Sequence, residues 1–139
     1  MVPWLNGGRW LEKPPLYHWV AATLFRWPGS AAPGVARLPS ALAGIGIGAC
    51  VWLLARRLGP PGLGPWAAFL AWTSAALLNA AHSATVDALF SFWGVLAVTA
   101  FVLGNGGAWD VLAAFAAGLA FLTKLHLGPI LVAVSILGW

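Results

Sequence analysis

The sequence predicts an all-α integral membrane protein, and three observations lead to that class. Of the 139 residues, 61% are apolar and 7% are charged, and the mean hydropathy is +0.88. Soluble domains carry about 25% charged residues, so seven basic and three acidic side chains cannot cover a surface in water. Apolar runs near the length of a membrane-spanning helix alternate with glycine- and proline-rich turns. The ten tryptophans also agree with this class, because indole rings concentrate at membrane–water interfaces.

Residues 1–34 are predicted to form an outer loop that ends in a helix lying in the membrane interface. Pro14 and Pro15 suit the first turn of a helix, where a missing N–H group is not needed. The residues that follow place one face at amphipathic helical spacing: Leu16, Trp19, Val20, Thr23, Leu24 and Trp27. Pro28 and Gly29 then end the helix, which is too short to span a bilayer and is typical of an interfacial helix.

Four transmembrane helices and a partial fifth are predicted over residues 35–139. Their approximate bounds are 35–57, 63–81, 84–103, 109–123 and 127–139. Within the first of them, Gly44, Gly46 and Gly48 provide a smooth surface against which other helices can pack closely. Together with the interfacial helix, these spans describe a polytopic membrane protein.

Alternation of the spans predicts that most ionisable side chains gather at one membrane face, called side A. The side A residues are Glu12, Lys13, His82, Asp87, Lys124 and His126. The opposite face, side B, receives Arg56 and Arg57 and a belt of tryptophans. The side B tryptophans are Trp52, Trp66 and Trp109.

Asp87 is the acid that points most directly to a function. An acidic side chain at mid-bilayer costs about 2.5–3.5 kcal/mol on insertion scales, so such residues usually mark functional sites. The structural alternative places Asp87 in the first helical turn, where the helix dipole favours a negative charge and Ser83 or Thr85 caps the helix. The two interpretations are compatible.

The other candidate residues also have two interpretations each. Lys13 lies just before two rigid prolines, and its ammonium could neutralise a lipid phosphate as a point charge. Alternatively, Glu12 and Lys13 form a solvated ion pair in front of the helix. The structural alternative for Lys124 is a lysine at a helix end whose ammonium extends into water. The structural alternative for His82 is a polar helix cap.

Four stretches, in this order, resemble the GT-C membrane glycosyltransferases of the protein-mannosyltransferase and aminoarabinose-transferase type. The most specific is Leu11-Glu12-Lys13-Pro14-Pro15-Leu16, which is similar to a motif in the first outer loop of that family. The other three are Arg37-Leu38-Pro39-Ser40-Ala41-Leu42, Thr85-Val86-Asp87-Ala88-Leu89, and Gly118 to Lys124 followed by Gly128-Pro129. They look like the start of the family's second helix, its fourth-helix acid motif and the end of its fifth helix.

The resemblance implies transfer of a sugar from a polyprenyl-phosphate donor to a hydroxyl of a lipid, glycan or protein. The reaction would occur on the non-cytoplasmic face of the plasma or inner membrane. By resemblance, Asp87 is a catalytic acid, Lys13 and Lys124 bind the donor phosphate, and Glu12 helps to bind a divalent metal ion. The implied partners are the donor and the bilayer, and no nucleic acid is expected because no basic run could follow a phosphate backbone.

Some features differ from the family pattern. The family's general base belongs to an Asp-Glu pair upstream of the Glu-Lys-Pro-Pro string, and further helices follow its sixth helix. We therefore expect the chain to be a truncated GT-C core that is inactive alone. Leu125 to Leu127 also separate Lys124 from Gly128-Pro129, where the family reads Thr-Lys-Gly-Pro. The distribution of basic residues favours a cytoplasmic side A, whereas the resemblance favours a non-cytoplasmic one.

Two other functions fit the same composition. In the first, the chain is a small transporter or channel subunit in which Asp87 and His82 line an ion path. In the second, it is a helical membrane protein without catalysis, held together by its glycines. A transporter is expected to carry a polar stripe along several spans, and the first two spans carry almost none.

Overall fold

The computed structural model describes residues 4–5, 8–9, 16–26 and 32–124, and helices account for nearly all of them. The helices are α1 (Leu16–Arg26), α2 (Pro33–Leu58), α3 (Leu63–Thr73), α4 (Ala75–His82), α5 (Val86–Leu103) and α6 (Ala108–Thr123). Two short antiparallel strands, β1 (Trp4–Leu5) and β2 (Gly8–Arg9), precede them. The predicted helical class is therefore confirmed, with a minimal strand pair that was not predicted.

Two of the described helices are long and apolar enough to cross a membrane. They are α2, with 26 residues, and α5, with 18 residues. Helix α6 is also apolar but has 16 residues. The predicted spans at 35–57, 84–103 and 109–123 correspond to these three helices within a few residues, and the segment 127–139 lies outside the described residues.

The segment predicted as the second span consists of two helices, α3 and α4, which meet at Ser74. The backbone of Ser74 is extended, with φ −64° and ψ 133°, and its side chain accepts a hydrogen bond from the Leu77 N–H. A serine hydroxyl competes in this way with the regular helical hydrogen bonds and serves as a helix N-cap. The structure thus differs from the prediction of one continuous helix over residues 63–81.

Helix α2 lies against α1, α3, α4 and α5, and its glycines allow three of these helices to approach closely. A Cβ atom on Gly44 would lie 3.0 Å from a side chain of α4. A Cβ on Gly46 would overlap the Phe92 ring of α5, and one on Gly48 would overlap the Trp72 indole of α3. The prediction that these glycines support close packing is confirmed, and they serve three neighbouring helices.

Helix α1 packs on the start of α2 through Tyr17. This side chain is buried, and its hydroxyl donates a hydrogen bond of 3.2 Å to the Ala36 carbonyl. The predicted amphipathic face is only partly covered, since Trp19 is 47% exposed and Thr23 is exposed, whereas Leu16, Val20 and Leu24 are partly buried. The helix predicted after Pro15 is therefore present.

Candidate functional site

Asp87 and Lys124 form an ion pair at the end of the bundle where α5 begins and α6 ends. The Lys124 Nζ donates a hydrogen bond of 2.9 Å to the Asp87 Oδ1, across 37 positions of sequence. Asp87 lies in the first turn of α5, and Lys124 directly follows the last residue of α6. The structure therefore brings together two of the side chains that were predicted to gather at side A.

This ion pair is accessible from outside the bundle. The side chains of Lys124 and Asp87 are 45% and 57% exposed. The Lys124 Nζ also lies 5.9 Å from the centroid of the Phe90 ring, close enough for a cation–π interaction. An exposed ion pair contributes about 0.2–1 kcal/mol, so a ligand that offers a stronger anion can open it.

The helix dipoles favour the charges of both partners. Asp87 is at the positive N-terminal end of α5, and Lys124 is at the negative C-terminal end of α6. The Lys124 N–H also bonds to the Ala120 carbonyl at 3.0 Å, which fixes the backbone from which the lysine side chain extends. The geometry thus holds an ammonium and a carboxylate in place at one end of the bundle.

The predicted side-chain cap of α5 is not formed. Thr85 occupies the N-cap position but makes no side-chain capping hydrogen bond. The Ser83 hydroxyl instead donates to the Asn79 carbonyl of α4, at 2.8 Å. Thr85 is therefore the N-cap residue, as the structural alternative for Asp87 expected, but no side chain supplies a capping hydrogen bond, and Ser83 bonds back to the preceding helix.

Ser40 provides a different contact to the start of α5. It is completely buried, and its hydroxyl donates a hydrogen bond of 3.1 Å to the Thr85 carbonyl. Sequence reasoning gave Ser40 no role, although it lies in the stretch Arg37–Leu42 that resembles the family. A serine near the start of an apolar span was the available signal.

Tyr17 is the second polar group that sequence reasoning missed at this end of the bundle. Burial raises the pKa of the Tyr17 hydroxyl above its ordinary value of 10.0, and the nearby Ser40 hydroxyl counteracts part of this shift. The hydroxyl therefore stays neutral at physiological pH and can donate to the Ala36 carbonyl.

His82 contacts its own helix at the end of α4. Its Nδ1 lies 2.8 Å from the Leu78 carbonyl, one turn earlier. Asp87 is paired with Lys124. The contacts of these two residues do not by themselves indicate the ion path that the transporter alternative places through Asp87 and His82.

The remaining predicted site residues, Glu12 and Lys13, lie outside the described residues, as does His126. Within the part of the chain that the structure describes, no three histidine, cysteine or acidic side chains are grouped as a metal site requires. Asp87 alone, paired with an ammonium, does not form a cation site. Because Glu12 lies outside the described residues, the divalent metal site stays a prediction.

The side B end of the bundle is built from aromatic contacts. The Arg56 guanidinium lies 4.9 Å from the centroid of the Trp52 ring, near the end of α2. Trp66 and Trp109 begin α3 and α6 and are 68% and 43% exposed. These positions suit side chains that anchor helix ends in a membrane interface.

The apolar helices, the composition and the accessible ion pair define a helical membrane protein with a polar site at one end. Comparison with protein families identifies the class. The sequence profile of the dolichyl-phosphate-mannose-protein mannosyltransferase family matches residues 12–138, and the chain belongs to this family. The resemblance to GT-C glycosyltransferases is thereby confirmed at the level of the family. Comparison with curated proteins and with solved structures gives no match.

Proposed function

We propose that the chain contributes a donor site to a membrane glycosyltransferase that uses a polyprenyl-phosphate sugar. The sugar would pass to a hydroxyl of a lipid, glycan or protein on the non-cytoplasmic face of the plasma or inner membrane. The family match supports the class of reaction. The observation that carries the assignment of the site is the exposed pair of Lys124 and Asp87, which unites two residues of separate family-like stretches.

Lys124 is the proposed phosphate-binding residue among the described ones. When the sugar leaves the donor, negative charge develops on the polyprenyl phosphate, and a fixed cation stabilises it. A lysine ammonium has three N–H donors, and Asp87 accepts from one of them. The other N–H groups can turn to a phosphate oxygen, since the side chain is 45% exposed.

Asp87 and the donor phosphate compete for the same ammonium. In the ligand-free state the Asp87 carboxylate orients Lys124 and balances its charge. A phosphate that carries one to two negative charges attracts the ammonium more strongly and displaces the carboxylate. The released Asp87 can then accept a hydrogen bond from the acceptor hydroxyl, which is the proposed catalytic part of its role.

Glu12 and Lys13 are also proposed to belong to the donor site, because they lie in the family-like Glu-Lys-Pro-Pro string. Lys13 would supply a second cation for the phosphate, and Glu12 would act in binding a divalent metal ion.

In the proposed topology the chain crosses the membrane four times and begins a fifth crossing. Helices α2, α5 and α6 each cross, and α3 and α4 together return the chain between the first two of them. The Ser40 contact to Thr85 supports this arrangement, because it places the starts of α2 and α5 at one end of the bundle. The ion pair adds the end of α6 to the same end, as alternating passes require.

Binding of polyprenyl phosphate to the chain in detergent at fixed low salt tests this function. Lys124→Met should weaken binding about 10- to 150-fold, because a charge-assisted contact of about 1.5–3 kcal/mol is lost. Arg57→Met is the matched control, since Arg57 is an exposed cation at the other end of α2 and should leave binding unchanged. Equal affinities for the wild type and both variants would refute the donor site.

A further inference from the structure

We propose that Ser40 is a positioning residue that holds the first turn of α5, and with it Asp87, in register with Lys124. One hydrogen bond of Ser40 joins two distant parts of the chain. The Ser40 hydroxyl is fully buried and donates to the Thr85 carbonyl at 3.1 Å, across 45 positions of sequence. Asp87 follows Thr85 by two residues.

The connection between α4 and α5 is short, and its hydrogen bonds show why Ser40 matters there. Residues 83–85 link the two helices, and the Ser83 side chain bonds back to α4. Thr85, at the start of α5, provides no side-chain cap. The start of α5 instead bonds to α2 through its Thr85 carbonyl, which accepts the hydrogen bond from Ser40, next to the buried packing of Ala88 and Leu89.

The ion pair is sensitive to the register that this contact sets. A helix rises about 1.5 Å per residue. If α5 slid against α6 by two residues, or about 3 Å, the contact of 2.9 Å between Lys124 Nζ and Asp87 Oδ1 would lengthen to about 4 Å and exceed hydrogen-bonding range. A lateral contact two residues from Asp87 is well placed to prevent such a slide.

Tyr17 extends the same arrangement to α1. Its hydroxyl donates to the Ala36 carbonyl, one helical turn before Ser40 on α2. Three polar contacts thus follow one another through the bundle, from α1 to α2, from α2 to α5, and from α5 to α6. These contacts support the positioning role of Ser40. The effect of this positioning on donor binding rests on the proposed function.

Cross-linking of the whole chain in detergent tests the positioning directly. Cysteines replace Asp87 and Lys124 in a Cys50→Ala background, and a short bifunctional thiol reagent joins them at a measured rate. Ser40→Ala should lower this rate several-fold, whereas Ser40→Thr, which keeps a hydroxyl, should restore it. Thr99→Ala is the matched control, because Thr99 is a buried hydroxyl that bonds within its own helix, to the Val95 carbonyl at 2.7 Å.

The outcomes separate the positioning role from general loosening and from the proposed function. Circular dichroism first confirms that each variant keeps its helices. An unchanged rate in Ser40→Ala, or an equal loss in Thr99→Ala, would overturn the proposal. A second measurement, polyprenyl phosphate binding without added cysteines, should show tighter binding in Ser40→Ala and wild-type affinity in Ser40→Thr, because a displaced Asp87 no longer competes with the phosphate for Lys124. If cross-linking falls while Lys124→Met still binds phosphate normally, the positioning role holds and the proposed function fails.

Discussion

The two ends of the helical bundle are held together by different kinds of contact. At the side A end, directional hydrogen bonds and an ion pair join separate helices: Tyr17 to Ala36, Ser40 to Thr85, and Lys124 to Asp87. At the side B end, Arg56 stacks on Trp52, and Gly64 lies so close that a Cβ there would meet the Trp52 ring.

The difference shows which end is suited to bind a polar ligand. Hydrogen bonds fix the relative positions of helices, because they weaken steeply when distance or angle changes. A cation over an aromatic ring tolerates sliding more readily than a hydrogen bond does. The side A end therefore holds charged groups in a fixed geometry, whereas the side B end presents exposed tryptophans and arginines of the kind that is typical of a membrane interface.

The largest expected effect comes from the middle of the bundle, where both ends depend on close packing. Gly48→Ala should destabilise the protein by about 1–3 kcal/mol, because the new Cβ would overlap the Trp72 indole. Gly118→Ala is the control: nothing lies within 4 Å of its added Cβ, and the higher helix propensity of alanine favours it. Denaturant unfolding in detergent measures both, and similar stability of the two variants would contradict the packing of α2 against α3.

A smaller effect is expected at the side A end from Tyr17→Phe. Loss of the hydrogen bond to the Ala36 carbonyl should cost about 0.5–1.5 kcal/mol at neutral pH. Burial raises the pKa of Tyr17 in the folded state, so its stabilising contribution is fully present below pH 10.0 and is lost as the pH rises through the raised pKa. Unfolding measured from neutral to alkaline pH should show this loss in the wild type, and an identical decline in Tyr17→Phe would exclude Tyr17 as its source.

The smallest effect is expected at the side B end. Arg56→Met removes the cation over the Trp52 ring and should cost about 0.5–1 kcal/mol, the range for an exposed cation–π contact. Polyprenyl phosphate binding should not change. Thermal unfolding and the binding assay together check this, and a binding loss as large as that of Lys124→Met would remove the distinction between the two ends.

Much of the fold, and the end of the bundle at which two site residues lie, could be predicted from the sequence. Long apolar runs between glycine- and proline-rich turns predict α2, α5 and α6, because little else can bury such segments. Alternation of these helices then predicts that Asp87 and Lys124 share one end, and the structure pairs them. Their direct contact did not follow, since alternation fixes the end of the bundle but not the neighbouring helix.

The parts that could not be predicted depend on single hydrogen bonds. The break at Ser74 results from a serine that caps α4 instead of continuing α3, and apolar patterning does not register that choice. Ser40 and Tyr17 acquire their roles from carbonyl groups that only the tertiary structure brings near. The β1–β2 pair had a readable signal, since the dipeptide Asn6-Gly7 between the strands is typical of a short hairpin.

The most direct measurement of the central claim compares polyprenyl phosphate affinities of Asp87→Asn and Lys124→Met in metal-free buffer. Opposite changes in affinity are expected, because Asp87 competes with the phosphate for the Lys124 ammonium. Asp87→Asn should bind more tightly than the wild type, and Lys124→Met more weakly. Asp110→Asn, an acid in the first turn of α6 at the side B end, serves as the control and should bind as the wild type does. Weakening by Asp87→Asn to the level of Lys124→Met would contradict the account.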